Sequence, residues 1–103
     1  MTIKRWSAKR DANEGPIVDV LEAMGCMVER QEGGLGRPDL RVRFPWGFSC
    51  LIEVKMPGAK LNANQKKYHA REPEKIHIVH SVTEAVDVYA WYRSIAIDMK
   101  AVV

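Results

Sequence analysis

At 103 residues, 47% of them apolar and 28% charged, with a net charge of +3, the sequence describes a single domain of ordinary soluble composition with room for one core. No apolar run approaches the ~20 residues of a membrane span. The basic N-terminus, MTIKRWSAKRD, lacks the apolar block of a secretory signal. We expect a cytoplasmic protein with no membrane partner, one domain over 1–103, with residues 1–9 as a basic arm.

The first predicted element is a helix over DANEGPIVDVLEAMG. Asp11 or Asn13 can cap its start, and Ile17, Val18, Leu21 and Met24 share one face. Pro16 falls in the first turn, where proline is tolerated, and Gly25 offers a stop. CMVERQ reads as a short strand. EGGLGRP, with three glycines and a proline, reads as a mobile loop. DLRVRF then alternates, with Leu40, Val42 and Phe44 opposite Arg41 and Arg43. PWG is a turn, and FSCLIEV is so continuously apolar that it predicts a central strand covered on both faces. The two strands should pair as an antiparallel hairpin.

LNANQKKYHARE predicts a second helix, started by Asn62 or Asn64. KIHIVHS predicts a strand. SVTEAVDVYAWYRSIAIDM predicts a long helix with a capping box from Ser81 to Glu84 and a stripe at 85, 88, 89, 92, 95 and 96. The order α-β-β-β-α-β-α gives an α/β fold, a mixed sheet flanked by helices.

Cys26 and Cys50 stand in no zinc or redox spacing and read as reduced core thiols. His69, His77 and His80 form no zinc spacing with them and read as structural, with His69 a candidate phosphate neighbour. The charge is unevenly spread. Residues 37–71 hold eight Lys/Arg against two acids, which leaves this segment at +6 and the remainder at −3. A basic central segment suits a polyanion-binding face. No phosphate-binding glycine motif sits at a strand–helix junction and no Ser/His/Asp arrangement stands out, which argues against a small-molecule enzyme.

The two acids of the basic segment are the chemical signal. Glu53 lies among Leu51, Ile52 and Val54, and a carboxylate inside a central strand is costly without a cation. Lys55 shares its strand face, so one reading is a weak Glu53–Lys55 surface ion pair. Pairing about a turn centred on Trp46 sets Asp39 opposite Glu53 on the same face. Like charges so placed destabilise a sheet. A hard divalent cation held by their oxygens would relieve this, and Lys55 alone is the other candidate.

Pro38-Asp39 followed by Glu53-Val54-Lys55 resembles the PD-(D/E)xK nuclease core. GRPDLRV, LIEVKMPGAKLNANQ and HIVHSVTEAV further resemble the stand-alone VRR-NUC domain of phages and bacteria, across roughly residues 10 to 90. The resemblance implies a restriction-endonuclease-like core and a metal-dependent, structure-selective DNA endonuclease of the Holliday junction resolvase kind. Asp39 and Glu53 would hold Mg²⁺, or Mn²⁺ in its place, with the Val54 carbonyl. Lys55 would orient or deprotonate the attacking water. Glu14, matching the acid of the family's first helix, would hold metal through water or recruit a second ion; otherwise it is an exposed acid favoured by the helix dipole. Gln65, matching the glutamine of KLxxxQ, would bond the lysine, the water or a phosphate, with Tyr68 on the same side of its helix.

Arg37, Arg41, Arg43, Lys60, Lys66, Lys67 and Arg71 are candidate phosphate contacts. Trp46 is expected to pack, with base stacking as the alternative. Cutting a four-way junction symmetrically needs two sites, so a homodimer is expected, with the apolar final helix contributing. The competing reading is a non-catalytic nucleic-acid-binding module of a replication or repair assembly.

Overall fold

The computed structural model describes residues 10–32 and 34–102; the expected basic arm lies outside them. The elements follow the expected order. Helix α1 spans Glu14–Ala23, strand β1 Met27–Arg30, β2 Leu40–Arg43 and β3 Ser49–Val54. Helix α2 spans Ala63–Arg71, β4 Ile76–Val79 and α3 Val82–Val102.

Helix α1 stops where the sequence expects. Gly25 takes φ +92, its amide donates to the Glu22 carbonyl and the Cys26 amide to that of Leu21. This is a Schellman end, which a β-carbon at the glycine would strain. The start differs from expectation. Asn13 stands at the cap position but makes no side-chain cap. Its Nδ2 instead donates to the carbonyls of Lys55 (3.1 Å) and His80 (3.0 Å), stapling α1 to the ends of β3 and β4.

The sheet order is β1-β2-β3-β4. The first three strands are antiparallel neighbours, while β4 runs parallel to β3. A parallel return requires a crossover, and the segment carrying α2 supplies it. The β2–β3 hairpin closes through Phe44 N to Phe48 O at 2.8 Å and Gly47 N to Phe44 O at 3.1 Å. Its register pairs Leu40 with Ile52 and Val42 with Cys50, which is the pairing expected from a turn centred on Trp46.

One sheet face carries the core. Leu40, Val42, Cys50, Ile52, Val54 and Val79 point there, against Ile17, Val18 and Leu21 of α1 and Ala85 of α3, with Val88, Tyr89 and Tyr92 packed alongside. Trp46 packs as expected, stacking on Phe44 at 5.2 Å and meeting Tyr89 edge-on at 5.1 Å. Cys26 and Cys50 are buried free thiols; burial pushes them up to about 11 and about 12, so neither is a nucleophile at neutral pH.

By strand alternation the opposite face presents Arg41, Leu51, Glu53, Ile76 and Ile78. Helix α2 lies over this face and buries none of its own residues. At α3 the expected capping box is half formed. Ser81 Oγ accepts from the Glu84 amide, but the Glu84 carboxylate turns to the His80 amide at 2.7 Å and ring at 2.9 Å.

Candidate metal and nucleic-acid site

Asp39 immediately precedes β2, one step beyond the Leu40–Ile52 pair, so it faces Glu53. Its Oδ2 accepts from the Val54 amide at 2.8 Å. That bond ties the side chain to the neighbouring strand and fixes its direction. Glu53 is 1% exposed, which removes the solvated surface-pair reading. The two carboxyl groups lie close enough to act on each other electrostatically.

Burial raises both groups above the usual carboxylate range. For Glu53 the charge of Asp39 and the hydrogen bond to it add to the effect, against a smaller lowering by Lys55. For Asp39 the bonds to Glu53 and to the Val54 amide oppose it. Two acids in one desolvated place cannot both be ionised without a cation.

Helix α2 brings the next two groups. Asn62 and Gln65 form a reciprocal capping box: Asn62 Oδ1 accepts from the Gln65 amide at 2.8 Å, and Gln65 Oε1 accepts from the Asn62 amide at 2.9 Å. This leaves the Gln65 Nε2 free to donate to Glu53 Oε2 at 3.0 Å. One side chain thus starts the helix and anchors it to the site. One turn on, His69 Nε2 lies 3.9 Å from Glu53 Oε1. Burial, then the charge of Lys55, lowers the histidine, which weakens it as a counter-charge for Glu53. Among the described residues both facing atoms, Glu53 Oε1 and His69 Nε2, are buried without a hydrogen-bond partner.

The loop before Asp39 is built against α2. Gly36, at φ +79, lies so close to the helix that a β-carbon there would stand 2.2 Å from the Asn64 carbonyl oxygen and 2.8 Å from the Gln65 nitrogen. The expected mobile loop is therefore seated, at this glycine, on the first turn of α2.

Glu14 is 2% exposed, not the exposed helix-start acid that was one alternative. Arg10 Nη1 donates to both its oxygens, at 2.9 and 3.0 Å, and Arg30 Nε donates to Oε2 at 2.8 Å. Arg10 Nη1 also lies 4.0 Å from Asp39 Oδ1. The structure thus brings Asp39, Glu53 and Gln65 together, sets Lys55 near enough for its charge to act on Glu53, and connects Glu14 to Asp39 through Arg10.

His69 is the residue whose place the sequence did not indicate; its spacing of four from Gln65 was the available signal. Tyr68 instead borders a surface cleft with Arg71, Glu72 and Pro73. Of the basic candidates, Arg37, Lys60, Lys66, Lys67 and Arg71 are exposed. Arg41 is engaged by Glu74 at 3.2 Å and Arg43 by Glu29 at 3.0 Å.

The donor set fits a hard cation better than a soft one. Among the described residues no three His, Cys, Asp or Glu side chains gather closely enough to hold an ion by themselves. Two carboxylates with one unpartnered buried oxygen suit an ion that completes its shell with a backbone carbonyl and water. Among the described residues no helix is long and apolar enough to cross a membrane.

No protein-family model and no curated protein matches the chain. A solved structure described as a VRR_NUC domain does, at 27% identity and a TM-score of 0.63, over 80% of this chain and 99% of that one. The four-stranded mixed sheet with its three helices is therefore a VRR-NUC-type, PD-(D/E)xK-like α/β fold, as the motif residues had implied.

Proposed function

We propose that the protein is a divalent-metal-dependent nuclease that hydrolyses phosphodiester bonds in DNA as a structure-selective endonuclease, resembling Holliday junction resolvases. The observation that carries this reading is the convergence of Asp39 and Glu53 on one buried point, with Glu53 Oε1 unpartnered. The similarity to a VRR_NUC domain supports the same class.

Asp39, Glu53 and the Val54 carbonyl would hold Mg²⁺ or Mn²⁺. When bound, the ion would polarise the phosphate, lower the pKa of water and relieve charge on the leaving oxygen. Asp39 is aimed by the Val54 amide and Glu53 by Gln65, so both oxygens are oriented before any ion arrives. Lys55, just beyond the end of β3, would supply positive charge for the phosphate and a donor to orient the attacking water. His69, whose Nε2 is buried without a partner among the described residues, would offer one hydrogen bond beside Glu53. Exposed Arg37, Lys60, Lys66 and Lys67 would meet phosphates without reading sequence.

A nicking assay on duplex, flap and four-way-junction DNA tests this. With Mg²⁺ or Mn²⁺ the wild type should cut a branched substrate fastest. Asp39→Ala and Glu53→Ala should each lose about 100-fold or more, as expected when metal-borne charge stabilisation of several kcal/mol is removed. Binding of the same DNA without cutting, unchanged in both variants, would favour a non-catalytic nucleic-acid-binding module instead.

A further inference from the structure

Three buried or half-buried acids meet around this site, and their cations are unequally supplied. Glu14 has two: Arg10 and Arg30 place three charge-assisted hydrogen bonds on its carboxylate, at 2.9, 3.0 and 2.8 Å. Arg10 is held from a second direction as well, since its Nη2 donates to the Gln31 carbonyl at 2.6 Å. The Gln31 amide in turn donates to the Asp39 carbonyl at 2.8 Å, so the guanidinium is fixed to the backbone that leads into the site. From there it stands 4.0 Å from Asp39 Oδ1 and acts on Asp39 as a positive charge. Glu53, by contrast, has a neutral amide on one oxygen and no partner among the described residues on the other.

A buried carboxylate takes whatever cation reaches it, because the alternative is an uncompensated charge. At Glu14 that demand is already met by the chain. An ion recruited there would face two guanidinium groups and would have to strip Glu14 of hydrogen bonds that are among the strongest a protein makes. At Asp39 and Glu53 the demand is unmet.

We propose that the site takes a single divalent cation, at Asp39 and Glu53, and that Arg10, anchored by Glu14, is the fixed positive charge standing where a second ion would otherwise act. Glu14 is then a positioning residue working through Arg10, not a metal ligand. This rests on the metal-dependent nuclease reading and adds to it the number of ions and the task of two residues.

Calorimetric titration of the full chain with Mn²⁺ tests it without reference to cutting. The wild type should bind one ion, and Glu14→Gln should still bind one. Arg10→Met, which leaves Glu14 with a free oxygen, should gain a second ion, and Arg10→Met/Glu14→Gln should lose it again. Should Glu14→Gln fail to fold, judged by circular dichroism, the gain in Arg10→Met decides. Two ions in the wild type falling to one in Glu14→Gln would overturn the proposal, as would a stoichiometry of one in Arg10→Met. A wild type that binds no Mn²⁺ would refute the metal-dependent reading itself, and this inference with it.

Discussion

Glu53 shows how one residue can carry both a site and a stability cost. Its carboxyl is buried beside Asp39 and raised above the ordinary value of 4.5. A raised folded-state pKa means the native chain holds a proton that the unfolded chain releases. The stability tied to Glu53 is therefore complete below the ordinary carboxylate value and is lost as pH rises through the folded one. Metal-free protein should lose stability on going from mildly acidic to alkaline pH, by at most about 1.4 kcal/mol per pH unit for one proton. Urea melts at several pH values would show this, and Glu53→Gln should flatten the slope. A wild-type profile already flat over that range would contradict a raised Glu53. Added Mg²⁺ should restore stability most where the pH is highest.

Some of this was legible at the residue scale and some was not. Asp39 opposite Glu53 followed from the turn and from strand alternation, because a hairpin's register is local. His69 did not follow. Tyr68 and His69 are adjacent, at i+3 and i+4 from Gln65, and which one meets Glu53 depends on how the helix is rolled on the sheet. The clamp on Glu14 was hidden for a related reason: Arg10 and Arg30 are separated by the whole of α1 and most of β1 and meet only in the folded chain.

At the scale of elements, α2 is the component to test. It buries no residue of its own, so little hydrophobic area holds it, and its placement depends on Gln65 and on the contact with Gly36. The glycine also needs its left-handed φ, which costs an L-residue about 1 kcal/mol. Gly36→Ala adds a clash with helix backbone to that strain and should destabilise by about 2–4 kcal/mol. Hydrogen exchange should show α2 amides opening faster while those of β2 and β3 stay protected. Equal loosening of the whole molecule would mean that the glycine supports the core and not the helix. The elements themselves were readable because each has clear stops: the glycine after α1, the PWG turn and Asn62 before α2. The two caps that departed from expectation did so where another partner displaced the expected one, a tertiary partner at Asn13 and a neighbouring residue at Glu84. Asn13 bonds to the ends of two strands, and Glu84 bonds to His80.

Across the whole molecule, α3 keeps an apolar surface that the core does not cover. Its 21 residues span about 31 Å, on a molecule measuring 52 × 29 × 26 Å. Ala85, Val88, Tyr89 and Tyr92 meet the core, while Trp91, Ile97 and Met99 remain more than half exposed. An apolar surface of this kind on a small chain suits a second copy. We expect light scattering after gel filtration to report a two-chain particle, and Ile97→Glu to shift it towards the mass of one chain, 11.7 kDa. A wild type that already elutes as a single chain would leave that surface without this role.

The central claim is that two strand carboxylates share one ion, and Mn²⁺ anomalous diffraction tests it most directly. Crystals soaked in Mn²⁺ should show one peak within about 2.2 Å of oxygens from both Asp39 and Glu53, absent in Glu53→Gln. No peak there in the wild type, or one held by residues elsewhere, would contradict it.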